Sequence, residues 1–360
     1  MNNSYASLVA NLEKPPILSD PKLLQTISAS SNNKHIFQKL KQGQKFCFEG
    51  TWGTAMAFYS WLKKQTGKQL PVHDYMSSRY NRELTNTLTG RLYLPITKHQ
   101  PSLKKAPENP WLKELYPGNP DFLMRFTDYL GMNGARQWYE KGVRFPNLAR
   151  KLHPFYGAYF PTRTEHLVLF DQWLTGQNSI TNPVDMGTGC GVLTFYLLKH
   201  RVNDITATDI NPNALYSLEQ DLGRYSLDSK VQTIETAFFE GLDLSNTNLV
   251  VFNPPWLPQE VNNTLDKAMY YGPDFFEKFF ESAHQKIPSR CQMVILFSNF
   301  AQVVGLTSQN PIEQECIKKS RFKLVEKRKE CLKQSTSSRK HWLSQIRMHE
   351  EVELWHLKKR

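Results

Sequence analysis

Between Pro183 and His200 the chain reads Val184-Asp185-Met186-Gly187-Thr188-Gly189-Cys190-Gly191-Val192, and no other run narrows the choice of fold as far. A short apolar strand, three glycines at alternate positions and an apolar helix follow one another without a break. Glycine lacks a Cβ, so the chain can turn sharply there and let a ligand approach its backbone closely. Such a turn at the carboxyl end of a strand belongs to a parallel α/β sheet, which binds its ligand at that end. The helix over 192–200 aims its N–H groups at the same place, where they suit an anionic group.

The next hundred residues continue the pattern. Residues 205–209 form a second strand and 212–225 a second helix; 231–234 and 249–252 are strands three and four. A helix over 275–287 and a fifth strand over 293–297 follow. Strands alternating with helices imply a mostly parallel sheet covered on both faces. Residues 321–329 and 352–357 could pair as an antiparallel hairpin, which would bring the strands to seven. Between them lies a basic insertion around Arg339, Lys340 and Trp342. Residues 151–360 thus form one expected domain.

Residues 1–150 form the other, and they read as mainly helical. The apolar stretch 54–62 is followed by Lys63 and Lys64 and closed by Gly67, which are helix-stop signals. Residues 101–120 hold five prolines and read as an irregular connector. Residues 121–130 have apolar positions at helical spacing, ending at Gly131.

Charge divides along the chain. Residues 1–150 hold 21 Lys+Arg and 10 Asp+Glu, a net of +11. Residues 151–310 hold 10 and 16, a net of −6, and residues 311–360 hold 14 and 7, a net of +7. An acidic core between basic flanks suits a polyanionic partner such as RNA or a ribonucleoprotein. The same lysines also suit plain solubilisation of helices. No apolar run approaches the ~20 residues that span a bilayer, and the start of the sequence lacks a secretory pattern. The five cysteines (47, 190, 291, 316, 331) form no CxxC pair and no zinc spacing. The expectation is a cytoplasmic protein with reduced thiols, no structural metal and no membrane contact.

About sixty residues past the glycine turn, at the end of strand four, stands Asn253-Pro254-Pro255-Trp256. The Asn253 side-chain oxygen and the Pro254 carbonyl can accept hydrogen bonds from the two hydrogens of a planar NH2 group. The nitrogen of an amide or aryl amine is a poor nucleophile, because its lone pair is delocalised. Two acceptors align that lone pair and drain its conjugation, so positioning can supply much of the rate of an in-line displacement. Prolines stiffen the turn, and Trp256 offers a flat face for stacking. Asp209 ends the second strand, 18 residues past Gly191, where a carboxylate can accept from both hydroxyls of a ribose.

In this order the two motifs resemble the class I S-adenosylmethionine-dependent methyltransferases that modify exocyclic amines or side-chain amides. The resemblance implies a Rossmann-like α/β domain and S-adenosyl-L-methionine as cofactor, held by Gly187, Thr188, Gly189, Gly191, Asp209 and Asn253. Asp185 either helps orient the cofactor or orders the loop, with the cofactor role favoured by its place just before the glycines. Phe238 either stacks on the adenine or, with Phe239, belongs to the core. Asn253, Pro254, Pro255 and Trp256 are the expected acceptor-side residues.

Over about residues 155–300 the chain is similar to the HemK-type methyltransferases, whose members methylate a glutamine amide in translation release factors. Phe160-Pro161-Thr162-Arg163-Thr164-Glu165 occupies the place of that family's Pro/Arg-rich segment ending in Thr-Glu, which implies that it caps the cofactor. Phe238-Phe239-Glu240-Gly241-Leu242 matches the stretch after strand three, but Ala237 stands where the family has an acid that reads the adenine amine. Trp256 replaces the family's usual Tyr, and Tyr271-Gly272-Pro273-Asp274 falls where the family has a glycine-containing loop near the substrate. The first 150 residues do not align with the shorter helical domain of that family, so the acceptor is not inherited from it. Three readings follow: a methyltransferase acting on a protein glutamine, such as that of a translation factor; an adenine-N6 methyltransferase acting on structured RNA or DNA; and a non-catalytic binding module. His153 and His166 are left outside the expected site, because this transfer needs no strong base.

Overall fold

The computed structural model describes residues 11–19, 24–69, 72–261, 264–332 and 346–360; the basic insertion around Arg339, Lys340 and Trp342 lies outside them. The chain divides into two compact units, Met1–Gln137 and Trp138–Arg360.

In the first unit β1 (Ile17–Leu18), β2 (Gln25–Ile27), β3 (Phe46–Phe48), β4 (Leu92–Thr97), β5 (Gln100–Pro101) and β6 (Phe122–Arg125) form one sheet. Its order is β1-β6-β4-β3-β2, with β5 paired to β4. Strands β2, β3 and β4 are parallel, while β6 and β1 join antiparallel. Helices α1 (Asn33–Lys41), α2 (Trp52–Gln69), α3 (Tyr75–Thr89), α4 (Trp111–Leu115) and the start of α5 (Phe126–Lys141) hold more residues than the strands. Helix therefore predominates as expected, but the sheet was not expected. Its strands run from two to six residues, too short for a period of two to show. The clearest correction is at 121–130. Phe122, Leu123 and Met124 are buried in strand β6 between β1 and β4, and the helix begins only at Phe126 and runs through Gly131. A short apolar run fits a strand or a helix equally, and pairing partners distant in sequence decide between them. Gly67 likewise lies inside α2 rather than ending it.

The second unit begins before residue 150. Phe145 and Leu152 belong to its core, Val143 bridges Leu152, and the Tyr196 hydroxyl donates to the Pro146 carbonyl at 2.5 Å. These contacts fix the segment that the expected boundary had assigned to the first domain. Its main sheet contains β7 (Val184–Met186), β8 (Ile205–Asp209), β9 (Val231–Glu235) and β10 (Leu249–Phe252). Strands β11 (Leu257–Pro258) and β12 (Tyr270–Tyr271) pair separately, and β13 (Gln292–Ser298), β14 (Phe322–Cys331) and β15 (Glu351–Lys359) complete the sheet. The order is β14-β15-β13-β10-β7-β8-β9. Five strands from β13 to β9 are parallel, and β15 runs antiparallel to both its neighbours. This is the seven-stranded, mostly parallel Rossmann-like arrangement expected from the sequence, with the closing hairpin in place.

The central strands are apolar throughout because both faces are buried. Val251, Val294 and Leu296 point into one core with Leu193 and Trp173, from α7 (Val192–Lys199) and α6 (Glu165–Thr175). Val250, Met293 and Ile295 point into the other with Phe276 and Phe279 of α9 (Phe275–Lys286). Helix α8 (Pro212–Arg224) starts on an Asn211 side chain that accepts from the Asn213 N–H, with proline at its first position. The chain steps outward from β7 to β8 and β9, then returns across β7 to β10. That reversal leaves a crevice between the carboxyl ends of β7 and β10.

Phe279 joins the core to this crevice. Its ring lies within 6.1 Å, centroid to centroid, of Phe238, Phe239, Phe252 and Phe280. Phe279→Ala should cost about 3–5 kcal/mol of the second unit's stability, read as a lower denaturant midpoint; an unchanged midpoint would contradict this packing.

Candidate active site

The glycine turn between β7 and α7 forms one side of the crevice. Gly187, Gly189 and Gly191 all have positive φ, of 61°, 55° and 83°. At residue 189 a Cβ would stand 2.8 Å from the Tyr159 carbonyl oxygen, and at residue 191 it would stand 2.5 Å from Leu218 Cδ1. Neither position has room for a side chain. The close approach is bonded, since the Cys190 N–H donates to that Tyr159 carbonyl at 2.9 Å. The Thr188 N–H donates to the Thr208 carbonyl at 2.9 Å, and the Gly189 N–H donates to Asp209 Oδ2 at 2.9 Å. Asp209 Oδ1 accepts from the Asn211 N–H, also at 2.9 Å. The carboxylate at the end of β8 is thereby fixed beside the turn. Burial raises its pKa, and the backbone donors oppose the rise.

Asp185 takes the loop-ordering alternative. Its Oδ2 accepts from the Thr188 hydroxyl at 2.7 Å, the Thr194 N–H at 2.9 Å and the Thr194 hydroxyl at 2.6 Å. The residue is fully buried and does not line the crevice. Burial pushes its carboxyl up to about 6 against the pull of the two threonines. The carboxylate thus braces the turn from beneath, tying strand β7 to the first turn of α7.

The crevice encloses a cavity of about 330 Å³, within the ordinary range for a small-molecule site. Gly187, Thr188, Gly189 and Asp209 line one part, and Asn253 and Pro255 line another. Phe238 also lines it, with its ring 5.5 Å from Phe275 and 5.8 Å from Phe279, whereas Phe239 is buried core. Phe238 thus stands on the cavity wall and Phe239 in the core. Tyr271 and Gly272 of the glycine-containing loop are on the wall as well. Among the described residues only Asp209 and Lys267 bring a charge to it.

The Asn-Pro-Pro-Trp segment is divided. Asn253 and Pro255 face the cavity, but Pro254 and Trp256 do not line it. The Trp256 indole N–H donates to Asn253 Oδ1 at 3.1 Å and to the Leu296 carbonyl at 3.3 Å. Its ring meets His166 edge to face, with centroids 5.2 Å apart. The open stacking face expected for Trp256 is therefore turned toward the protein. His166 is completely buried, neither ring nitrogen has a hydrogen-bond partner, and burial alone holds its pKa down at about 3.

Sequence reasoning missed Tyr159, Lys267 and Tyr270, which also line the cavity. Tyr159 lies ahead of the sheet and reaches the turn through its backbone, so its residue type gave no signal. Lys267 sits in the connection between β11 and β12 and Tyr270 opens β12, and neither stretch carries a motif. Among the described residues no group of three or more His, Cys, Asp or Glu could hold a metal ion, and no helix is long and apolar enough to cross a membrane.

Comparison with known proteins adds a family match over the part of the chain that builds this crevice. Residues 170–325 match the family model of the methyltransferase small domain. Over this segment the chain is similar to that domain. A release factor glutamine methyltransferase of Deinococcus radiodurans is 32% identical to the chain over 146 residues, 40% of this chain and 48% of that protein. A ribosomal protein uL3 glutamine methyltransferase of Neisseria gonorrhoeae is 29% identical over 103 residues, 28% of this chain and 34% of that protein. The chain thus spans less than half the length of either relative. The matched segment holds the glycine turn, Asp209, Phe238 and Asn253, while Tyr159 and His166 reach the same region from the chain just before it.

Two outcomes follow from this geometry. Gly189→Ala, with its Cβ against a carbonyl and a strained backbone, should weaken binding of S-adenosylmethionine at least about tenfold in calorimetry; unchanged affinity would contradict the close approach. His166 has a folded pKa below its unfolded value near 6.5, so the unfolded chain binds the extra proton and stability falls as pH drops from about 6.5 toward about 3. A His166→Phe variant should gain stability relative to wild type across that window in denaturant titrations. A difference independent of pH would contradict the buried, neutral ring.

Proposed function

We propose that the chain is an S-adenosylmethionine-dependent N-methyltransferase whose acceptor is the side-chain amide of a protein glutamine. The observation that carries this reading is Asn253, placed at the end of β10 on the wall of the cavity that begins at the glycine turn. The residues present fit the cofactor. Backbone N–H groups of the turn and the start of α7 suit its carboxylate. Asp209 has lone pairs left for two ribose hydroxyls, and the Phe238 ring suits an adenine face. The strain-free fit of glycine at 189 and 191 leaves the backbone bare where a ligand needs it. Asp185 acts on this set from below by holding the turn.

When bound, the cofactor supplies an electrophilic methyl group on a sulfonium. Asn253 Oδ1, on the cavity wall, accepts a hydrogen of the acceptor NH2 and so orients the nitrogen with its lone pair out of conjugation. Pro255 and Tyr271 line the cavity beside it. The bound cofactor would supply its methyl group to the nitrogen that Asn253 orients, with the thioether as leaving group, and the alkylated nitrogen would pass a proton to solvent. A nitrogen that has just been alkylated is acidic enough to do so without a strong base, which is consistent with a site whose nearest histidine stays neutral.

A protein acceptor is favoured over RNA at this cavity. Lys267 is the one cation among the described wall residues, and residues 151–310 carry a net charge of −6, which repels a phosphate backbone. The relatives named above are both described as glutamine methyltransferases, which supports a translation factor or a ribosomal protein as acceptor. The basic balance of residues 1–150 is the observation on the side of RNA.

The test is transfer of radiolabelled methyl groups into a cell extract, followed by separate protease and RNase treatment. Label removed by protease alone is the expected result, and label removed by RNase would make this an RNA adenine methyltransferase. With the labelled acceptor in hand, Asn253→Ala should keep cofactor affinity within about twofold and reduce turnover at least about tenfold. Equal turnover in the two proteins would remove Asn253 from the reaction.

A further inference from the structure

We propose that Trp256 is a positioning residue, whose indole N–H fixes the orientation of the Asn253 side-chain amide and so sets the rate of methyl transfer. The inference rests on the N-methyltransferase reading above and assigns a different job from base or amide stacking. Trp256 does not line the cavity, whereas Asn253 does. A hydrogen bond from indole Nε1 to Asn253 Oδ1, at 3.1 Å, links the two side chains.

The chemistry of the two groups makes that link directional. A side-chain amide can rotate by half a turn about its last bond at little cost, exchanging its oxygen for its NH2. In one orientation Asn253 offers an acceptor; in the other it turns two N–H groups toward an acceptor nitrogen that itself carries two hydrogens. An indole N–H donates and cannot accept. It therefore selects the orientation in which the oxygen is near it and rejects the flipped one. The carbonyl oxygen has two lone pairs, so one serves Trp256 and the other is left for the methyl acceptor.

The indole is itself held on two sides. Its N–H is shared with the Leu296 carbonyl at 3.3 Å. Leu296 lies on β13, which pairs in parallel with β10 at Phe252 and Ile295, directly before Asn253. On another side the buried His166 ring meets the indole at 83° with centroids 5.2 Å apart. A phenyl ring at 256 would lose the donor, and a phenol could accept as well as donate, so neither would impose one orientation. The tryptophan that departs from the tyrosine of similar enzymes thus has a specific consequence for the catalytic amide.

The experiment is steady-state methylation of recombinant peptide-chain release factor, or of recombinant ribosomal protein uL3 if that is the better acceptor, with calorimetry of S-adenosylmethionine binding alongside. For Trp256→Phe we expect kcat to fall on the order of tenfold, the loss of about one hydrogen bond, with cofactor affinity and the KM for the acceptor protein within about twofold of wild type. In the background of Asn253→Ala the same change should add nothing, because no amide is left to orient. Replacing Trp256 by benzothienylalanine, which keeps the indole shape and removes only the N–H, should match Trp256→Phe and separates this effect from any packing defect. Wild-type kcat in the benzothienylalanine protein would overturn the inference. So would a full additional loss in the double variant, or a loss confined to the acceptor KM, as a stacking role would give. If Asn253→Ala itself keeps full activity, the methyltransfer reading fails; if it is crippled while the variants at 256 are not, only the role of Trp256 fails.

Discussion

The carbonyl oxygen of Tyr159 stands only 2.8 Å from where a Cβ on residue 189 would have to be, and much of the site follows from that contact. Only glycine allows the turn after β7 to press against the preceding chain, and the Cys190 N–H turns that closeness into a hydrogen bond. The same turn delivers the Gly189 N–H to Asp209, which couples the end of β7 to the end of β8. From beneath, the buried Asp185 carboxylate ties the turn to Thr188 and to the first turn of α7. A carboxyl pushed up to about 6 by burial is costly to keep there. Its three hydrogen bonds, all to Oδ2, offset part of that cost and tie the turn to α7, which a binding surface made of backbone needs.

The other half of the cavity depends on aromatic packing rather than on polar braces. Phe279, on the helix behind the sheet, touches both Phe252, which precedes Asn253, and Phe238, which lines the cavity. The core of the domain and the wall of its site are therefore one cluster. On the far side of Asn253, Trp256 and His166 form a second support, joined to β13 through Leu296. An acceptor atom on a loop is thereby held by two neighbouring strands and two rings, so that little reorganisation is left for the reaction itself.

The parts of this arrangement legible in the sequence are those whose signal is local. The glycine turn, Asp209 at a strand end, and Asn253 after an unbroken apolar strand each lie within a few residues of what defines them. The parallel sheet follows from repeated strand–helix alternation, and its closing hairpin from two long strand-like runs. What was not legible depends on partners distant in the chain. Residues 122–124 are a strand because β4 and β1 flank them. Asp185 turns toward Thr194 rather than into the cavity because α7 presents its N–H there. Trp256 turns away from the cavity because Leu296 and His166, 40 residues ahead and 90 behind, offer it an acceptor and an edge.

The central claim is that this site alkylates a planar, conjugated nitrogen by aligning it, without a general base. Tandem mass spectrometry of the acceptor after reaction with isotope-labelled S-adenosylmethionine tests it most directly, because it locates the methyl group on an atom. The account predicts a single methyl on the side-chain amide nitrogen of glutamine. A methyl on a lysine amine or a carboxylate oxygen, neither of which needs the acceptor at Asn253, would contradict it.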